Sequence, residues 1–230
     1  MSREAEALAD SITAELVGLA NAEYARGVLG ARSPGKEPLG VAIPRLRAAV
    51  RTQWRRVRHL DGGELLTAAD VLWRGSSHEQ ELAGCMLLRL SGTLVGIRQL
   101  RGWAPLLDNW LSVDELAGCL GEAIETRPEL LQECGFLALD TSPWARRLYL
   151  AGVIRPVSRG LSAAAVPHLA MLFEDNRHPV RKASVWLLRA TLKARPAAAS
   201  EFAAVQRPGT PASLARMVEA ALVAEAATKR

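Results

Sequence analysis

Tryptophan is scarce in this chain, six in 230 residues, and three of them stand beside a charge at helical spacing. Trp110 and Asp114 are four residues apart, Trp144 and Arg147 are three apart, and Lys182, Trp186 and Arg189 fall at i, i+4 and i+7. On a helix each set occupies one face. Cations beside indoles suit an anionic partner. An acid on the same kind of face suits something more than binding, because a pure phosphate binder has no use for a carboxylate there. The competing reading is amphipathic packing, in which each Trp lies against Leu and Ala and the charge is its solvated edge.

The rest of the charge is unevenly spread. Residues 45–58 hold six Arg and no acid, residues 140–195 hold ten Lys/Arg against three Asp/Glu, and residues 108–133 hold seven acids against one Arg. Two basic blocks around an acidic one point to an anionic partner touched at two places, with solvated faces as the alternative.

Almost every segment that must carry these faces reads at helical period. Ser2 is placed to cap a first helix through about Leu19. A looser stretch containing Tyr24 follows, from Asn21 to Val28. The segment from Gly30 to Gly40, with Ser33, Pro34, Gly35 and Pro38, reads as the clearest loop. Pro44 suits the first turn of the next helix, which carries Arg47, Arg51 and Arg55 on one face. Further helices are expected at 63–74, 77–91, 95–108, 112–126, 128–139, 143–154, 161–174, 178–194 and 211–227, with a short one near Ala197 to Val205. Pro128, Pro143, Pro156, Pro179 and Pro196 are among the expected breaks. No strand or hairpin signal is found. Helix pairs recur every 30–45 residues or so, the size of HEAT-like units, so the expected fold is all-α. It is expected to be one curved α-solenoid of helical repeats over residues 1–230, its concave face basic.

Composition narrows the function classes. Hydrophobic residues at 49% can build a core, and charged residues at 23% are ordinary. No run approaches the ~18 apolar residues of a membrane span, and Met1 to Asp10 lacks an apolar signal region. The expectation is a cytoplasmic monomer. Cys85, Cys119 and Cys134 are widely spaced and read as buried thiols rather than a disulfide framework. With no CxxC or HExxH spacing, neither a metal nor a cofactor is expected.

Several segments together resemble the AlkD-type alkylpurine DNA glycosylases, a family of HEAT-like repeat DNA alkylation repair enzymes. Asp108-Asn109-Trp110-Leu111-Ser112-Val113-Asp114 resembles that family's WxSVD segment. Lys182-Ala183-Ser184-Val185-Trp186-Leu187-Leu188-Arg189 resembles its KAxxWxLR helix, and Trp144-Ala145-Arg146-Arg147 its WxxR motif. Leu72-Trp73 followed by His78-Glu79 resembles the family's LW…(H)E, and Leu39-Gly40-Val41 with Pro44 and Arg47 its LGIxxPxxR entry. Tyr24 stands where the family has an aromatic. The matches run in the family's order from about Tyr24 to Arg195. The chain departs from the pattern in a longer loop at Gly30 to Pro38, and in His178-Pro179 where the family has an aromatic pair. Both would alter the mouth of a DNA cleft.

The resemblance implies a glycosylase that wraps duplex DNA and hydrolyses the N-glycosidic bond of N3- or N7-alkylated purines. It implies this without base flipping, unlike the usual glycosylase logic, and extends it to bulky natural-product adducts, in base excision repair or in self-resistance to a toxin. Asp114, Trp110 and Trp186 would be catalytic, with Asp114 offsetting oxocarbenium charge and orienting water. Tyr24, Arg47, Trp144, Arg147, Lys182 and Arg189 would bind DNA. A plainer reading of Asp114 is an acid near a helix start, where the macrodipole favours it. The other functional hypothesis is a catalytically silent helical-repeat protein that binds DNA or another anionic partner.

Overall fold

The computed structural model describes residues 2–29 and 36–228. Residues 30–35 of the expected loop therefore lie outside the described residues. Among those described, every regular element is helical and no strand occurs. The α-helices are α1 (Arg3–Gly18), α2 (Ala22–Leu29), α3 (Ile43–Arg56), α4 (Gly62–Trp73), α5 (His78–Ser91), α6 (Ile97–Trp103) and α7 (Trp110–Thr126). They continue with α8 (Leu130–Glu133), α9 (Gly135–Leu139), α10 (Pro143–Ser158), α11 (Leu169–Glu174), α12 (His178–Ala194), α13 (Ala199–Val205) and α14 (Ala212–Thr228). The fold is all-α and built of paired helices, as the periodicity indicates. Two compact units divide it, Met1–Cys119 and Leu120–Arg230.

In the first unit α5 is the spine. Every residue from His78 to Leu88 is buried, with α3 and α4 packed on it and α1 against both of those. A helix buried on all sides must satisfy its polar residues internally, and His78, Glu79, Gln80 and Glu81 are all polar. Ser77 and Gln80 close a capping box at its start, as Asp61 and Glu64 do for α4. Ser2 does not cap α1 with its side chain; its hydroxyl donates to Glu64 at 2.8 Å. Trp73 and Trp103 stack at 5.0 Å, and the Trp103 indole N–H donates to Asp70.

In the second unit α10 packs on α9 and α12, and α14 packs on α12 and α13. Phe173 and Phe202 stack at 6.0 Å beneath them. Ser142 accepts the Trp144 N–H where Pro143 opens α10, and Pro179 stands in the first turn of α12.

Where elements differ from expectation, local chemistry gives the reason. The looser stretch around Tyr24 is the helix α2, because the Asn21 side chain accepts the Tyr24 N–H at 2.9 Å and caps it. The segment 95–108 is not one helix; α6 stops at Trp103 and a tight 3-10 turn holding Pro105 follows. The segment 128–139 breaks at Cys134 into α8 and α9. Only Leu169–Glu174 of 161–174 is α-helical, since Pro167 and a left-handed His168 (φ 60°) interrupt it. Pro156 does not end α10. It withdraws only the bond to the Gly152 carbonyl, and buried Val153, Ile154 and Val157 on either side carry the helix to Ser158.

The three cysteines are free and buried; Cys119 donates to the Cys85 carbonyl and Cys134 to that of Leu131. Among the described residues no helix is long and apolar enough to cross a membrane, and no group of three or more His, Cys, Asp or Glu is arranged to hold a metal ion.

Candidate functional site

The start of α7 is built with unusual care. Asn109 accepts the Ser112 N–H at 2.9 Å, so it caps the helix and sets its first residue at Trp110, two residues earlier than the sequence suggests. The Asn109 amide also donates to Asp108 and to the Ser112 hydroxyl, and lies 3.1 Å from the His78 ring. Ser112 is fully buried and donates in turn to the Glu81 carboxylate. Lys36 reaches the same carboxylate at 2.8 Å and donates to the Trp73 carbonyl. Burial pushes the Glu81 carboxyl up, but the bonds from His78, Lys36 and Ser112 outweigh it and hold it below the ordinary glutamate value.

This network fixes which way α7 faces. Ser112 and Val113 point into the core, while Trp110 is 43% exposed and Asp114 half-buried. One helical turn apart, the indole and the carboxylate share the outer face. A carboxylate there can offset positive charge on a group resting against the indole.

A second buried acid fixes the approach to α3. Glu79 accepts the backbone N–H groups of Leu39, Gly40 and Val41 at 3.1, 2.8 and 3.3 Å. Gly40 has φ +76°, and a Cβ there would stand 2.2 Å from the Asn21 carbonyl oxygen, so the turn requires glycine. Tyr24, on the helix that Asn21 caps, is 47% exposed.

The cations separate into two kinds. In the second unit many are consumed by the fold. Arg146 and Arg177 both bind Asp175, and Arg146 and Arg177 also donate to the carbonyls of Asp140 and Thr141. Arg155 and Arg159 pair with Glu125, Arg155 with Glu122 as well, and Arg195 pairs with Glu201. Arg147 is buried and donates to the Pro179 carbonyl at 3.1 Å, while Trp144 is half-exposed, so these two do not form an outward pair. On α12 the stripe of His178, Lys182, Trp186, Arg189 and Lys193 is exposed, with Trp186 at 43%. On α3, Arg45, Arg47, Arg51, Arg55 and Arg56 are exposed too. No carboxylate among the described residues pairs with Lys182, Arg189 or these α3 arginines.

Each helix thus presents its own expected set: Trp110 with Asp114 on α7, and Lys182, Trp186 and Arg189 on α12. Sequence reasoning missed Lys36 and Glu81, and it had Asn109 and Ser112 only as parts of a motif, without their roles in this network. Glu81 in a first turn reads as an ordinary macrodipole acid, and no spacing links it to Lys36.

A family model described as DNA alkylation repair enzyme matches residues 12–220. No curated protein matches the chain.

Proposed function

The chain belongs to the DNA alkylation repair enzyme family, and from that premise we propose that it is a DNA glycosylase. Its substrate would be the N-glycosidic bond of N3- or N7-alkylated purines in duplex DNA. The observation that carries this reading is Asp114 beside an exposed Trp110 on a helix whose start is locked from behind. Alkylation at N3 or N7 leaves the purine cationic. Breaking the bond from C1′ to the purine returns the electron pair to the base, which departs neutral, and leaves oxocarbenium character on the deoxyribose. Water then adds at C1′ and gives up its proton. Asp114 offsets the sugar's charge more in the transition state than in the ground state, and orients the water.

Trp110 and Trp186 each pack against sugar and phosphate of the bound DNA, contacts that reach about 2 kcal/mol where water is excluded. Both lie open on helix surfaces, which suits a nucleotide that stays in the duplex and admits bulky adducts. Lys182, Arg189 and Arg47 hold phosphates, which fixes register without reading sequence. Tyr24, Trp144 and Arg147 complete the expected DNA contacts.

The test is single-turnover release of a cationic alkylpurine beside a binding titration. Asp114→Asn is nearly isosteric, so affinity should hold within a few fold while release falls by roughly 100-fold or more. Trp110→Ala should lower both release and preference for the lesion. Release by Asp114→Asn at the wild-type rate would leave a DNA-binding protein whose acid merely sits near a helix start.

A further inference from the structure

The arginines of α3 are not explained by the chemistry at α7. Arg47, Arg51 and Arg55 form a ridge at i, i+4 and i+8, with Arg45 and Arg56 on the neighbouring flank, and all five are exposed. This arrangement opposes the helix that carries it. Like charges four apart repel on a helix surface. Arg45 and Arg47 stand at the positive end of the helix dipole, where the first turn holds no acid. No carboxylate among the described residues relieves any of them. Meanwhile Leu46, Ala49, Val50 and Gln53 pin the opposite face in the core. The Glu79 carboxylate, gripping the backbone from Leu39 to Val41, fixes the segment leading in. The result is a firmly held helix whose arginines are rooted about 6 Å apart along its axis at each i, i+4 interval. No carboxylate stands among them on that face, and the half-buried Trp54 lies at its edge on the Arg47 side.

We propose that Arg51 and Arg55, the part of this ridge beyond Arg47, form a lesion-independent surface for the phosphate backbone of duplex DNA, which holds the protein on undamaged DNA during lesion search and takes no part in excision. Phosphate contacts carry no information about the base, so a surface made of them alone binds damaged and undamaged duplex equally. The charge that destabilises α3 by itself is what an array of phosphates would neutralise. Guanidinium also binds phosphate through paired N–H donors in a way lysine does not. The DNA partner rests on the family reading, and the search role on the glycosylase reading.

The experiment compares wild type with Arg51→Glu/Arg55→Glu and with Arg51→Ala/Arg55→Ala, using an undamaged mixed-sequence duplex and the same duplex carrying one N7-alkylguanine. Affinity for the undamaged duplex should fall at least tenfold. The slope of log affinity against log salt should become shallower by about two units, one for each contact removed. Single-turnover release at saturating protein should stay within about threefold of wild type. The Ala pair should fold at least as stably as wild type, because it relieves repulsion, and so guards against misfolding of the Glu pair. An unchanged salt slope in both pairs would overturn the proposal and assign the ridge to some other acidic partner. Loss of release at saturation would overturn it as well, by placing the ridge in the reaction. If wild type releases no base yet the slope still falls in both pairs, the glycosylase reading fails and the backbone surface stands.

Discussion

Glu81 and Asp114 both sit near the start of a helix, yet they have opposite fates. Asp114 lies on the outer face with Trp110, where a charge can act on something bound. Glu81 lies inside, held by Lys36, Ser112 and His78. Its carboxyl is lowered by those partners against the pull of burial, so the folded chain binds its proton less readily than the unfolded chain. Its contribution to stability is therefore complete above the ordinary value of 4.5 and is lost as pH falls through the lower folded value. Asp175, where burial is likewise outweighed by Arg177 and Arg146, adds a loss of the same sign. Thermal melts should show stability falling steeply below about pH 4.5. Glu81→Gln should flatten that dependence, while removing roughly 3 kcal/mol at neutral pH by leaving the mostly buried Lys36 without its counter-charge. A neutral-pH melting temperature equal to wild type would show the ion pair to be dispensable. The sequence displayed Trp110 and Asp114 because one helix carries both. Glu81 was hidden because Lys36 reaches it from a loop and Ser112 from another helix.

At the scale of the element, α7 depends on Asn109. Replacing it with Ala removes the acceptor for the Ser112 N–H and the donor to the Ser112 hydroxyl. Loss of such a cap typically takes about 1 kcal/mol. Hydrogen exchange should speed up at the amides of Leu111 to Val113 and leave the middle of α5 unchanged. Uniform acceleration would mean the whole unit had loosened instead. Helices were legible where a capping box marks the start, as in α4 and α5, or where an amphipathic face runs the length, as in α12. They were misread where a single residue decides. Asn21 makes a helix of what looked like coil, Pro105 cuts one short, and Pro156 fails to end α10 because packing around it outweighs one missing hydrogen bond. Gly40 was readable as part of a motif, but not as a residue pressed against the Asn21 carbonyl. That close approach exists only once α2 and the turn meet.

For the molecule as a whole, net charge says less than its allocation. The block at 140–195 has a large positive excess in sequence, yet Arg146, Arg155, Arg159, Arg177 and Arg195 are bound by acids of the same unit. Counting charges along the chain cannot separate these from Lys182 and Arg189, because the acids that bind them are brought up by folding. If Arg47, Arg51, Arg55, Lys182 and Arg189 each neutralise one phosphate, log affinity for duplex DNA should fall with log salt at a slope near about −4.5. Removing Arg159, which is already paired on the surface, should leave that slope where it is. A shift as large as that from removing Lys182 would show the two kinds of cation to be equivalent in solution.

The buried cysteines bear on the company such a protein keeps. The electrophiles that alkylate purines also attack thiolates. Burial pushes the Cys134 thiol up to about 12 and raises that of Cys85 as well, and all three sulfurs lie inside the fold. The native protein thus offers little for those electrophiles to inactivate, so it can work in the chemical conditions that create its substrate. Iodoacetamide should leave the folded chain unmodified by mass and label all three positions in denaturant. Rapid labelling of the folded chain would mean that the core opens and that repair capacity is lost along with the DNA's integrity.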